Sequence, residues 1–291
     1  MDEVMVTGGM LIAKMLKREG VEVVFTLSGG HIATIYDGCV REGIRVVDTR
    51  HEQSAVHAAE GWAKVTRTPG VALLTAGPGV TDGVTGIANA YLNGSPVLIF
   101  GGAAPIEHWD HGALQELPML DVLRPITKWA RTVYATARFA EYTAAAFREA
   151  TSGRAGPVFI ECPMDVLNGF VEADEKLLPA PGYRTAARAL GDPALVKKAA
   201  TLLKKAERPV IFAGSTVWWD DAAAALRALA AKLRAPVFLN GSARGSLEPD
   251  SPHFFSYARR DALTNADLIL LVGTKLDFRL NYGQPPLIPA A

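Results

Sequence analysis

Glu52 is the residue of this sequence best placed to do chemistry. It lies in Arg50-His51-Glu52-Gln53, directly after the apolar run 44–49, and it opens an alanine-rich stretch that includes Ala55, Ala59 and Ala63. About one strand later, Thr75-Ala76-Gly77-Pro78-Gly79 makes a second tight junction between a strand-like and a helix-like run. Two such junctions form a crevice at the carboxyl ends of parallel strands, where α/β proteins bind ligands. A lone glutamate at a helix start answers to the helix macrodipole. Sheltered in a crevice, it is able instead to share a proton with a bound group. Two more polar groups belong to the same layer of the sequence. His31 ends Ser28-Gly29-Gly30-His31, after the first strand-like run, where an imidazole is able to shuttle protons near neutral pH. Gln115 lies in the polar loop Gly112-Ala-Leu-Gln115-Glu116-Leu-Pro118. His51 and His57 read as packing and helix-surface residues.

The elements that must position these groups follow from hydrophobic period. Strand-like runs at 21–27, 44–49, 70–75, 96–101 and 157–162 alternate with helical patterns at 7–19, 32–41, 52–66, 81–92 and 135–151. This alternation predicts an α/β fold, a doubly wound parallel sheet covered on both faces. The stretch 168–192 holds Pro179, Pro181 and Gly182 and reads as a linker. Asp192-Pro193 then starts a new helix, with Asp at the N-cap and Pro at the first helical position. Strand runs follow at 210–213, 236–240 and 268–272, with a helix over 221–233 between the first two. The expected organisation is a first domain over 1–170, a linker over 171–191 and a second, Rossmann-like domain over 192–291. Three strands make half of a sheet that usually has about five or six. The second domain is therefore expected to be truncated or completed by another chain.

Composition narrows the class. The 291 residues are 49% hydrophobic, enough for sizeable cores, and carry 30 basic and 30 acidic side chains. A net charge of zero argues against nucleic acid and acidic membrane surfaces as partners. Two distant cysteines, Cys39 and Cys162, show no metal spacing and fit a reducing compartment. The start, Met1-Asp-Glu-Val, lacks the regions of a signal peptide, and no apolar run approaches a membrane span. A soluble cytoplasmic protein is expected.

The Arg-His-Glu-Gln segment, taken with Gly77-Pro78-Gly79-Val-Thr-Asp82 and Gly86-Ile-Ala-Asn89-Ala-Tyr91, resembles the pyrimidine-binding domain of thiamine-diphosphate enzymes of the acetolactate synthase superfamily. The resemblance implies that Glu52 hydrogen-bonds N1′ of the cofactor's aminopyrimidine and so helps to remove the proton from thiazolium C2. It implies a cofactor-binding set of Gly29, Gly30, Glu52, Thr75, Gly77, Pro78, Gly79, Asp82 and Asn89. Asp82 stands where many relatives carry Asn, and Ser28 where the family often has Pro. The Gln115 loop is similar to one that reaches a neighbouring subunit's site in acetolactate synthases and 2-hydroxyacyl-CoA lyases. Glu52, Gln115 and His31 are thus the implied catalytic residues.

The second domain separates the branches of this superfamily. Residues 252–263 lack the glycine-rich segment that lies near the flavin of acetolactate synthases, so FAD is not expected. Residues 266–286 look most like 2-hydroxyacyl-CoA lyases and, next, oxalyl-CoA decarboxylases. By that likeness the domain holds the ADP part of coenzyme A, with Arg259, Arg260 and Arg279 as candidate phosphate contacts. Trp218-Trp219 either covers apolar surface or stacks on adenine. The family's Gly-Asp-Gly signature for Mg²⁺ and the diphosphate is absent. The resemblance therefore implies that Mg²⁺ is bound by a domain in a missing part or on another chain. It also implies a homo- or hetero-oligomer, because family sites lie between subunits.

Three functions compete. The first is a thiamine-diphosphate-dependent carbon–carbon lyase or carboligase acting on a 2-hydroxyacyl-CoA, that is, on an acyl-CoA plus an aldehyde or ketone. The second is an acetolactate synthase-like carboligase acting on 2-oxo acids. The third is a non-catalytic subunit or fragment of this fold that needs a partner polypeptide. A plain dinucleotide-binding protein is disfavoured, because G-x-G-x-x-G is missing after the first strand.

Overall fold

A computed structural model describes residues 5–185, 187 and 189–288; the first four residues, on which the reading of the sequence start rests, and the last three lie outside the described residues. The chain divides into two compact units, Met1–Thr185 and Ala186–Ala291, so the division falls within 171–191. The first unit holds strands β1 (Met5–Thr7), β2 (Val23–Thr26), β3 (Arg45–Asp48), β4 (Gly70–Leu74), β5 (Val97–Ala103), β6 (Trp129–Thr132), β7 (Val158–Pro163) and β8 (Phe170–Glu172). Six of them form one parallel sheet in the order β3-β2-β4-β5-β7-β6.

The middle strands β4, β5 and β7 are buried along their whole length, as runs covered by helices on both faces must be. Their side chains alternate between two cores. Val71, Leu73, Leu98, Phe100, Val158 and Ile160 join a cluster with the helices Gly8–Arg18 and Phe139–Thr151. Ala72, Leu74, Val97, Ile99 and Phe159 join the opposite cluster, with Ala55, Val56 and Ala59 of the helix Glu52–Thr66 and with Ile87 and Ala90. This two-residue period fixes which way each strand end points.

Local signals set the helix ends. Thr7 Oγ1 accepts from the Met10 amide at 3.2 Å and caps the first helix. His51 Nδ1 accepts from the Gln53 amide at 3.1 Å and caps Glu52–Thr66. The helical pattern over 81–92 is in fact two helices, Pro78–Asp82 and Val84–Asn93, which meet at Gly83. The edge strand β6 has no counterpart among the strand-like runs of the sequence. Part of the stretch expected to be linker is structured: β8 pairs antiparallel with β1. Arg18 donates to the Pro179 carbonyl at 2.9 Å, and Tyr183 and Arg184 both donate to Glu19. These partners are distant in sequence, so local composition reads only as loop.

The second unit holds β9 (Pro209–Ala213), β10 (Val237–Leu239) and β11 (Leu268–Val272), all parallel in the order β10-β9-β11. Asp192 accepts from the amides of Ala194 and Leu195, with Pro193 as the first residue of the helix Pro193–Lys205. The Trp pair ends the short helix Thr216–Trp219, where the buried Trp219 Nε1 has no hydrogen-bond partner. Among the described residues no helix is long and apolar enough to cross a membrane.

Candidate active site

The carboxyl ends of β2, β4 and β5 carry the glycine turns. Glu52 is the first residue of its helix, yet only 6% of its surface is exposed. Among the described residues its carboxylate has no hydrogen-bond or ion-pair partner. Its oxygens are not among the buried polar atoms left without a partner, so they stay accessible to a ligand. Gly79 packs closely beside Glu52 and beside Thr75. A Cβ there would lie 3.3 Å from Glu52 Oε1 and 2.6 Å from Thr75 Cγ2. Gly29 packs against the other side of Thr75, whose hydroxyl lies 3.4 Å from His31 Nδ1.

Gly77 supports this arrangement from the start of the helix Pro78–Asp82. Its φ of 56° and ψ of −113° lie where L side chains rarely go. A Cβ at Gly77 would also sit 2.5 Å from the Gln115 carbonyl oxygen. The turn and the Gln115 loop are therefore packed backbone to backbone. Gln115 itself has a φ of 58°, a strained value for a residue with a Cβ. The loop is held in that shape by Glu116, which accepts from the amides of Asp110 at 2.5 Å and Ala113 at 3.0 Å. Those two backbone hydrogen bonds hold the Glu116 carboxyl below its ordinary range.

Gln115 lines two cavities. One, of about 650 Å³, also meets Gly29, Gly30, His31 and Thr75. The other, of about 500 Å³, meets Gly77 and Glu161. His31 is 7% exposed, and burial pushes its imidazole below the ordinary value against the opposing effect of a hydrogen bond to the Leu114 backbone. It is thus suited to act as a neutral donor or acceptor. Burial pushes the Glu161 carboxyl up, although Thr132 donates to it at 2.5 Å. Sequence reasoning passed over Glu116, Glu161 and the loop histidines His108 and His111, all of which line these cavities or shape their walls.

One residue of the expected cofactor set, Asn89, is turned to another group: its amide donates to Glu60 Oε2 at 2.6 Å from an exposed position on its helix. Burial would raise the Glu60 pKa, but hydrogen bonds from Lys64, Asn93 and Asn89 outweigh it and keep this carboxylate ionised. Asn89 is a packing residue of that cluster, not a lining of the cleft. Asp82 ends its short helix, and like Glu52, Pro78 and Gly79 it lines neither cavity.

In the second unit Arg259 and Arg260 line a cleft of about 980 Å³ together with Phe238, Phe255 and Tyr257. Arg279 does not line it. Its guanidinium is bound to Asp277 and donates to Asn240 Oδ1 at 3.1 Å. Among the described residues no group of three or more His, Cys, Asp or Glu is arranged to hold a metal ion.

Comparison with known proteins decides the family. Residues 6–123 match the model of the thiamine pyrophosphate enzyme N-terminal TPP binding domain, and residues 196–291 match that of the thiamine pyrophosphate enzyme central domain. The chain belongs to the thiamine pyrophosphate enzymes. It is 46% identical over 277 residues to the acetolactate synthase large subunit IlvG of Mycobacterium tuberculosis, an alignment that takes in 94% of this chain and 50% of that protein. It is 37% identical over 309 residues to 2-hydroxyacyl-CoA lyase 2 of Homo sapiens, which takes in 95% of this chain and 49% of that protein. The chain thus spans about half the length of the curated relatives it matches. The residues around Glu52 fit the aminopyrimidine half of the family's cofactor: a sheltered acceptor without a protein partner, beside a glycine whose missing side chain allows close approach.

Proposed function

We propose that the full-length protein is a thiamine-diphosphate-dependent carbon–carbon lyase or carboligase acting on a 2-hydroxyacyl-CoA. The observation that carries this reading is the Glu52 carboxylate, buried and unpartnered beside Gly79. When bound, the cofactor supplies an acidic carbon and an electron sink. Glu52 accepts the hydrogen bond of a protonated ring nitrogen and so holds that proton in place. The glycines allow a ring to approach backbone beside the carboxylate. Gln115 orients the substrate from its strained loop position, and the neutral His31 passes a proton to or from it. Mg²⁺ and the diphosphate are held outside this segment, in keeping with relatives about twice its length.

The coenzyme A part of the proposal draws on the cleft of Arg259 and Arg260, where two guanidiniums and aromatic walls suit a nucleotide phosphate and base. The second reading, a carboligase of 2-oxo acids, draws on the closer similarity to a protein named acetolactate synthase and on the loss of Arg279 from the phosphate-binding set. Thermal unfolding of the full-length protein distinguishes them. Saturating coenzyme A at about 100 times its Kd is expected to add about 2.7 kcal/mol of stability in the first reading. No shift with coenzyme A favours the second.

Gln115→Ala tests the site as a whole. Turnover should fall about tenfold, the worth of one lost hydrogen bond, while cofactor affinity measured by calorimetry stays the same. Equal losses in both would place Gln115 on the cofactor, and unchanged turnover would remove it from the site.

A further inference from the structure

Three imidazoles share one cavity. The space of about 650 Å³ beside Gly29 and Gly30 is lined by His31, His108 and His111. His31 is buried at the end of β2, whereas His108 and His111 are exposed on the loop that follows β5. Ser28, Thr75 and Gln115 add two hydroxyls and an amide to the lining. Among the described residues no carboxylate, lysine or arginine lines this cavity. Such a wall offers donors and repels no anion.

The acids nearby lie outside the lining, and two of them sit beside the loop imidazoles, Glu107 by His108 and Glu116 by His111. Glu116 accepts the Asp110 and Ala113 amides, and Asp165 accepts the Ile106 amide at 3.2 Å. Glu107 lies 3.9 Å from His108 Nε2. With Asp110 and His31, these are the charged and titratable groups around the loop pair, on its own loop, on the helix Met164–Asn168 and on the turn after β2.

We propose that His108 and His111 are specificity-determining residues that, with His31, hold the carboxylate of a small carbonyl substrate. This deepens the second reading of the proposed function and rests on it for the carbonyl chemistry, because a 2-oxo acid carries the carboxylate that an acyl-CoA, aldehyde or ketone lacks. The anion contact itself stands on the cavity alone. Burial keeps His31 a neutral hydrogen-bonding partner, while His108 and His111 present their ring nitrogens from the exposed loop.

The test is calorimetric titration of the full-length protein, loaded with thiamine diphosphate and Mg²⁺, with oxamate, an unreactive 2-oxo acid mimic. Its uncharged ester, ethyl oxamate, is the control. In the double variant H108Q/H111Q, oxamate binding should weaken about tenfold. Ethyl oxamate should bind wild type and variant alike. Oxamate affinity unaltered in the variant, or no oxamate binding to the wild type, overturns the proposal. Turnover of Glu52→Gln separates the two ideas: if the cofactor reading fails, that variant keeps its activity while the histidine result stands.

Discussion

Glu52→Gln is expected to lower turnover of the full-length protein by about 10²–10⁴-fold, the usual worth of a positioned proton-transfer group. The substitution keeps the shape of the side chain and its place at the head of Glu52–Thr66, so folding should survive. Replacing a carboxylate that no protein group engages should leave unfolding nearly unaffected. This pairing of effects matters. A glutamate retained for structure would show the reverse, lost stability with activity preserved. The carboxylate at Glu60 provides the internal comparison. It is equally buried, but Lys64, Asn89, Asn93 and Ser95 satisfy it, and it reads as a structural group.

Gly77→Ala should be nearly as damaging, for a different reason. At a φ of 56° and a ψ of −113° an alanine carries backbone strain of about 1–3 kcal/mol. Its Cβ would also meet the Gln115 carbonyl oxygen at 2.5 Å, and neither partner is the far end of a flexible side chain. The turn, the loop or both must move. Denaturant unfolding should show the lost stability, and turnover should fall about 10²-fold as Gln115 leaves its position, since a shift of about 1 Å is worth that much. Wild-type stability in this variant would show that the Gly77 conformation is not required.

Much of the first unit can be read before its structure is seen, and the reasons are local. The helix Glu52–Thr66 is legible because its alanines keep one face and the residue before Glu52 caps it. Strands β4 and β7 are legible because burial on both faces demands unbroken apolar runs. Strand β6, Trp-Ala-Arg-Thr, is a half-exposed edge whose short alternation does not stand out from loop. Gly83 interrupts a helical pattern that apolar spacing alone carries across it.

The site divides in the same way. The glycine turns announce themselves, because only a close approach or a left-handed turn calls for Gly at those places. Asn89 misleads because its motif points to the cleft while its helix face does not. With Asn93 it lies four residues apart on one face, turned toward Glu60. Arg279 stands two residues from Asp277, so its ion pair is legible in principle. The gathering of His108 and His111 with His31 is not. Their loop is placed by long-range bonds such as that from Ile106 to Asp165, 59 residues apart.

The most direct measurement is the rate at which the C2 proton of the bound cofactor exchanges with deuterated water in the full-length protein, followed by quenched-flow NMR. With Glu52 in place, exchange should be fast, and Glu52→Gln should slow it by about 10²–10⁴-fold at saturating cofactor. The same exchange rate in both proteins would contradict a role for Glu52 in activating the cofactor.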